Sequence, residues 1–200
     1  CTRLADRPRP LRLWACGPTF RCSMGEAGQR ITETLQSGVE LLGEPSAAAD
    51  CELMHLLLAA TACLGLQAEH QPTLLVGHHG LLDALLERVP AEQRLATRRA
   101  LTDFDPLALA ALALPDAQRQ GLQALLGLRG DPPQVLYQLE QWLGPVPLLE
   151  SLAATLAAVA PAAARHGVRL QLDPTFQPHF DLYDGLVLKL VCQGPDAPVA

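Results

Sequence analysis

Proline placement constrains this chain more than any other feature. Between residues 90 and 165 runs a stretch built mostly of leucine and alanine, interrupted at Pro106, Pro115, the Pro132-Pro133 pair, Pro145 and Pro147. Proline removes a helix hydrogen bond and clashes with the preceding turn, yet it is well tolerated in a helix's first turn. The stretch is therefore predicted to be a block of short helices rather than one long one. Its leucines and alanines show no fixed period of the kind that marks a solenoid.

The flanks read differently. Leu11-Arg12-Leu13-Trp14-Ala15-Cys16 alternates roughly as a half-buried strand, a polar glycine-bearing loop covers Ser23 to Arg30, and a second strand covers Thr34 to Leu42 until Glu44-Pro45 breaks it. From Ser46 to Leu66 the spacing becomes helical, with Ser46 as N-cap, Gly65 at the C-terminus, and Leu53, Leu56, Leu57, Ala60 and Leu64 expected on one face. Pro72 to Val76 is a short apolar strand, followed by a helix from about His79 to Arg88. Two closing strands are expected at Val168 to Leu172 and within Asp181 to Cys192. Hairpin, helix, strand, helical block and closing strands together predict an α+β fold with an antiparallel sheet flanked by helices.

Composition narrows the function. Acidic residues number 21 against 15 basic ones, a formal net charge of -6, and Lys189 is the sole lysine. Polynucleotide binding draws most of its affinity from phosphate neutralisation. Here the only basic concentration is Arg3, Arg7, Arg9 and Arg12, so no nucleic-acid partner is expected. The six cysteines form no C-x-x-C and no zinc-type spacing with histidine, and they are expected to be free, buried thiols. No metal is expected. His78-His79 reads as a capping or surface pair, because adjacent residues at a helix start do not share a face. Asp181 and Asp184, three apart on a strand, point to opposite faces and make no acid–base pair. No motif brings Ser23 together with His55 or His179 as a nucleophile and base. Pro, Gly or a charged residue interrupts each apolar run, and the first residues lack the order of a signal peptide. The chain is expected to be cytoplasmic and to have no membrane partner.

Three segments carry a family resemblance. Gly17-Pro18-Thr19-Phe20-Arg21, the polar loop, and Gln36-Ser37-Gly38-Val39-Glu40-Leu41-Leu42-Gly43 resemble motif 2 of the class II aminoacyl-tRNA synthetases. Ala49-Asp50-Cys51-Glu52 to Leu66, with Leu75 to Leu82, resembles the helix and strand that follow. Phe180-Asp181-Leu182-Tyr183-Asp184-Gly185-Leu186-Val187-Leu188 is similar to the "Leu-Asp-Tyr-Tyr-Thr-Gly" strand of the histidyl-tRNA-synthetase-like family. The resemblance implies a partial class II synthetase-like core over residues 1–200: a motif 2 hairpin at 11–43, a helical insertion at about 90–165 and closing strands at 168–192. Motifs 1 and 3 are not in the sequence, which implies the middle of a longer chain or a reduced variant.

The resemblance also assigns residues. Arg21 matches the arginine that neutralises the α-phosphate and carboxylate of an aminoacyl adenylate. Gln36 and Glu40 match positions that hold the amino acid; an even separation on a strand turns both side chains to one face. Tyr183 matches a tyrosine lining the histidine pocket. Without the resemblance, Arg21 reads equally as a surface ion-pair partner, Gln36 and Glu40 as the wet face of a strand, and Tyr183 as core.

Several departures from the synthetase pattern count for more. Ser23 replaces an acidic residue, Thr32 an arginine, Pro178 the histidyl-specific arginine, His179 its neighbouring glycine, and Leu182 the first paired tyrosine. Those losses remove charge stabilisation that adenylate formation needs. What the resemblance implies is a non-catalytic regulatory subunit of ATP phosphoribosyltransferase in histidine biosynthesis, with no cofactor of its own. It would form a homodimer within a hetero-oligomer containing the catalytic subunit, with histidine as a candidate ligand. A divergent ATP-dependent amino-acid ligase is the competing reading, and an interaction module with an empty pocket is a third.

Overall fold

The computed structural model describes residues 4, 6–25, 28–43, 45–177 and 184–193. Two compact units divide the chain, Cys1–Ala49 and Asp50–Ala200.

The first unit is a long antiparallel hairpin, β1 (Leu11–Gly25) and β2 (Gly28–Leu42), paired without a break from Leu11 opposite Leu42 to Gly25 opposite Gly28. The strands run further than the sequence predicts. Ser23 to Gly25 and Gly28 to Arg30, expected as loop, belong to the ladder. Their small and polar residues are compatible with a strand face that meets water, and Gly28 at φ +106° lets the chain turn tightly. Register decides which side chains share a face. Trp14, Phe20, Met24, Ile31, Leu35 and Val39 all fall on one side and are exposed, Met24 by 82% and Trp14 by 75%. The opposite side carries Thr19, Arg21, Thr34, Gln36 and Glu40.

The second unit is built around β3 (Thr73–His78), which has β4 (Arg169–Leu172) parallel on one edge and β5 (Leu186–Val191) antiparallel on the other. The α+β class is as expected, but this sheet is mixed, and the closing strands flank β3 rather than pair with each other. Leu74 and Val76 of β3 and Leu172 of β4 are fully buried. Helix α1 (Ala47–Cys63) begins at the boundary between the units, where the Ser46 hydroxyl accepts from the Ala49 N–H at 3.2 Å, as the N-cap reading required. Its fully buried residues are Met54, Leu58 and Thr61; of the predicted face, Leu57 packs partly buried against the core, while Leu56 and Leu64 are exposed. A helix this uniformly apolar offers several equally good stripes, so spacing alone could not choose among them.

Helix α2 (His79–Glu87) leaves the end of β3 and buries Leu81, Leu82, Leu85 and Leu86. The proline-cut block resolves into α3 (Arg94–Thr102), α4 (Pro106–Ala111), α5 (Asp116–Gly127), α6 (Pro132–Leu143) and α7 (Pro147–Arg165). Pro106, Pro132 and Pro147 each sit in a first turn, and Asp105 caps α4 by accepting from the Leu107 and Ala108 N–H groups. Gly130, at φ +156°, exchanges two backbone hydrogen bonds with Leu172 (3.1 and 2.9 Å) and so ties the block to the sheet. Helix α7 is long and apolar enough to cross a membrane by length and composition, which the sequence reading did not anticipate. One side of it, with Leu149, Leu152, Leu156 and Val159, is buried in the core. Cys16, Cys22, Cys51, Cys63 and Cys192 are free thiols as expected, but none is fully buried, and Cys16, Cys22 and Cys63 are exposed.

One close approach in this fold is testable. A Cβ on Gly77 would lie 2.2 Å from the Phe176 carbonyl oxygen, whereas a Cβ on Gly127 would meet nothing within 4 Å. Gly77→Ala is expected to cost about 1–3 kcal/mol in urea denaturation, and Gly127→Ala to be neutral or slightly stabilising. Equal effects from the two would show that the β3–Phe176 contact is not tight.

Candidate functional site

On the hairpin, Arg21 lies opposite Thr32, Gly17 opposite Gln36, and Leu13 opposite Glu40. Cross-strand partners share a face and residues two apart repeat it, so Arg21, Gln36 and Glu40 all project to the same polar side. All three are exposed. The structure brings them onto one face but not to one point. Thr32, Gln36 and Glu40 follow at four-residue intervals, about 13 Å each along the strand. Standing upright from the strand, Gln36 and Glu40 are too far apart to meet at one point. Reaching toward each other, they can grip opposite ends of a small zwitterion, with Arg21 one interval further along.

Register also shows what surrounds Arg21. Two of the neutral departures, Ser23 and Thr32, are its immediate neighbours on this face, so two of the lost charges border the retained one. Arg30, paired with Ser23, sits diagonal to Arg21 on the same side. Arg30 did not stand out in the sequence; assuming a loop at 23–30 concealed it, and only the continuous ladder places its side chain. Tyr183, together with Pro178, His179, Asp181 and Leu182, lies outside the described residues.

A second polar cluster gathers where β3 meets α2. The Nδ1 of His78 accepts from the Gly80 N–H at 3.0 Å and caps the helix, as expected for one member of the His78-His79 pair. His79 donates its backbone N–H to the Gly185 carbonyl at 3.0 Å, and the Gln177 amide lies 3.5 Å from the His78 carbonyl. The His79 Nε2 and Gln177 Oε1 atoms are buried without a hydrogen-bond partner among the described residues. Among the same residues, no group of three acidic, histidine or cysteine side chains could hold a metal ion.

Electrostatics at this junction follow from burial. Burial pushes the His78 imidazole below its ordinary pKa of 6.5; His79 pushes the same way, while Asp50 and Asp184 oppose it. Burial raises Asp50 above its ordinary 3.8, partly offset by His78. A depressed histidine pKa means that the unfolded chain takes up the proton first, so stability falls as pH drops from 6.5 toward the lower folded value. Protonation of Nδ1 would also remove the acceptor that caps α2. Asp50 acts in the opposite sense, in the window between 3.8 and its raised folded value. Between about pH 7 and pH 5.5, urea denaturation should show wild-type stability declining. His78→Asn keeps a capping acceptor that does not titrate, and should flatten that decline; an identical slope in the variant would remove His78 as its source.

Comparison with known proteins places the chain. A sequence model described as histidyl-tRNA synthetase matches residues 1–200. The chain is 53% identical over 201 residues to an ATP phosphoribosyltransferase regulatory subunit of Synechococcus sp. (strain RCC307), covering 100% of this chain and 51% of that protein. It thus spans about half the length of the curated relatives it matches. Among solved structures it is similar to an ATP phosphoribosyltransferase regulatory subunit/histidyl-tRNA synthetase from Bacillus halodurans, with 28% identity and a TM-score of 0.78 over 94% of this chain and 50% of that one. The fold also matches a chain of the ATP phosphoribosyl transferase (HisG:HisZ) complex from Thermotoga maritima, with 15% identity and a TM-score of 0.73 over 94% of this chain and 66% of that one. With a mixed α+β core and a family match along its whole length, the chain belongs to the histidyl-tRNA-synthetase-like family that includes the regulatory subunits of ATP phosphoribosyltransferase.

Proposed function

We propose that this chain serves as part of a non-catalytic regulatory subunit of ATP phosphoribosyltransferase in histidine biosynthesis, and that the polar face of its hairpin receives histidine. The observation that carries the proposal is local: Arg21 is retained, while the positions beside it, Ser23 and Thr32, are neutral. A face that keeps amino-acid contacts but has lost charge around the arginine suits binding without activation, since transition-state charge must be met by fixed countercharges. Relatives up to 53% identical carry the regulatory-subunit name, which supports the same reading. Gln36 and Glu40 would take opposite ends of the ligand, and Arg21 its carboxylate side. The partner would be the catalytic subunit, joined by a homodimer of this subunit in a cytoplasmic hetero-oligomer.

The competing reading, an ATP-dependent amino-acid ligase, draws on Arg30, which adds a second cation to the face of Arg21. Two assays separate them. Mixed with the short-form ATP phosphoribosyltransferase of the same organism, the chain should co-elute with it and raise phosphoribosyl-ATP formation at least tenfold, on the order of a single 1.4 kcal/mol coupling. With ATP and histidine alone it should give no pyrophosphate exchange. Exchange above background would establish the ligase, and neither co-elution nor activation would end the regulatory proposal.

A further inference from the structure

Helix α7 presents two unlike sides. Leu149, Leu152, Leu156 and Val159 are buried, whereas Ala153, Ala157, Ala160 and Ala164 are exposed at i, i+4, i+7 and i+11, a single stripe about three turns long. That stripe forms one wall of a groove of about 700 Å³; the other wall comes from α6, where Tyr137 is 64% exposed, and Leu136 and Leu170 line the groove between them. Alanine leaves room for another backbone to approach closely and loses no side-chain entropy when covered. Exposed tyrosine beside such a channel is an anchor of the type that interfaces favour.

Charge at the rim narrows the occupant. Asp131, Glu140 and Glu150 border the groove, and none of them takes part in the Arg98–Asp83 or Arg119–Asp116 ion pair. The one cation in the lining, Arg169, already donates to the Thr73 hydroxyl at 3.2 Å. A second copy docked through this face by two-fold symmetry would bring two acidic rims together. An anionic membrane surface would be repelled in the same way.

We propose that the α6–α7 groove is a docking site for a cationic amphipathic helix of a partner protein. The partner's leucine-type side chains at i, i+4 and i+7 lie along the alanine stripe, and its lysines or arginines face Asp131, Glu140 and Glu150. This is helix-in-groove recognition, in which apolar anchors supply affinity and rim charges supply orientation. The site belongs to the second unit and stands whether or not the hairpin binds histidine.

Fluorescence anisotropy with two synthetic helical peptides tests it. Both carry leucines at i, i+4 and i+7; one has flanking lysines and the other glutamates. The lysine peptide should bind the chain saturably, more weakly at high salt, and at least about tenfold more tightly than the glutamate peptide. Ala157→Trp, on an exposed position, should fill the groove and reduce binding about tenfold or more with an unchanged circular dichroism spectrum. If that variant does not fold, the Glu140→Lys/Glu150→Lys double variant decides, because it should reverse the peptide preference. Absence of saturable binding, equal binding of the two peptides, or an unreversed preference overturns the proposal. So does a sedimentation mass showing self-association that Ala157→Trp abolishes, which would assign the groove to a second copy. Retention of the chain on phosphatidylserine vesicles that Ala157→Trp abolishes would assign it to membrane, and also overturns the proposal.

Discussion

The second unit depends on β3. It is the one strand among the described residues paired along both edges, and its apolar residues lie in the core that the helices share. Leu74 and Val76 anchor the core, Gly77 lets the Phe176 carbonyl approach where no side chain would fit, and His78 turns the strand into α2 by capping it. Parallel pairing with β4 requires a long crossover, because parallel neighbours cannot be joined by a tight turn. The helical block from α3 to α7 lies within that crossover, and Gly130 fastens it back onto β4. The helices are thus both the connection and the cover for the sheet.

Much of this is legible in the sequence because proline and glycine act locally. Pro106, Pro132 and Pro147 start helices wherever the chain lies in space, and Ser46 caps α1 through a contact three residues away. What was not legible depends on partners distant in sequence. The parallel β3–β4 ladder spans nearly a hundred residues, and the buried stripe of α1 is chosen by what lies against it, as in the Cys51 thiol meeting the Thr155 carbonyl. The continuous hairpin was missed for a related reason. Ser23 to Arg30 has loop composition, and cross-strand pairing overrode that local preference.

The candidate site shows the same division. Which residues to examine came from motif likeness; how they can cooperate came from register. Even spacing placed Gln36 and Glu40 on one face, yet their four-residue separation keeps them about 13 Å apart along the strand. The same register puts Ser23, Thr32 and Arg30 around Arg21, so two of the altered charges lie beside the retained one.

The most direct measurement is calorimetric titration of histidine into the purified chain and three single variants. Gln36→Ala and Glu40→Ala alter the polar face, while Glu33→Ala alters the opposite face of the same strand, where Glu33 pairs with Phe20. The account predicts saturable heat for the wild type and Glu33→Ala, and its loss in Gln36→Ala and Glu40→Ala. No saturable heat in the wild type, or an equal loss from Glu33→Ala, would contradict a histidine site on this face.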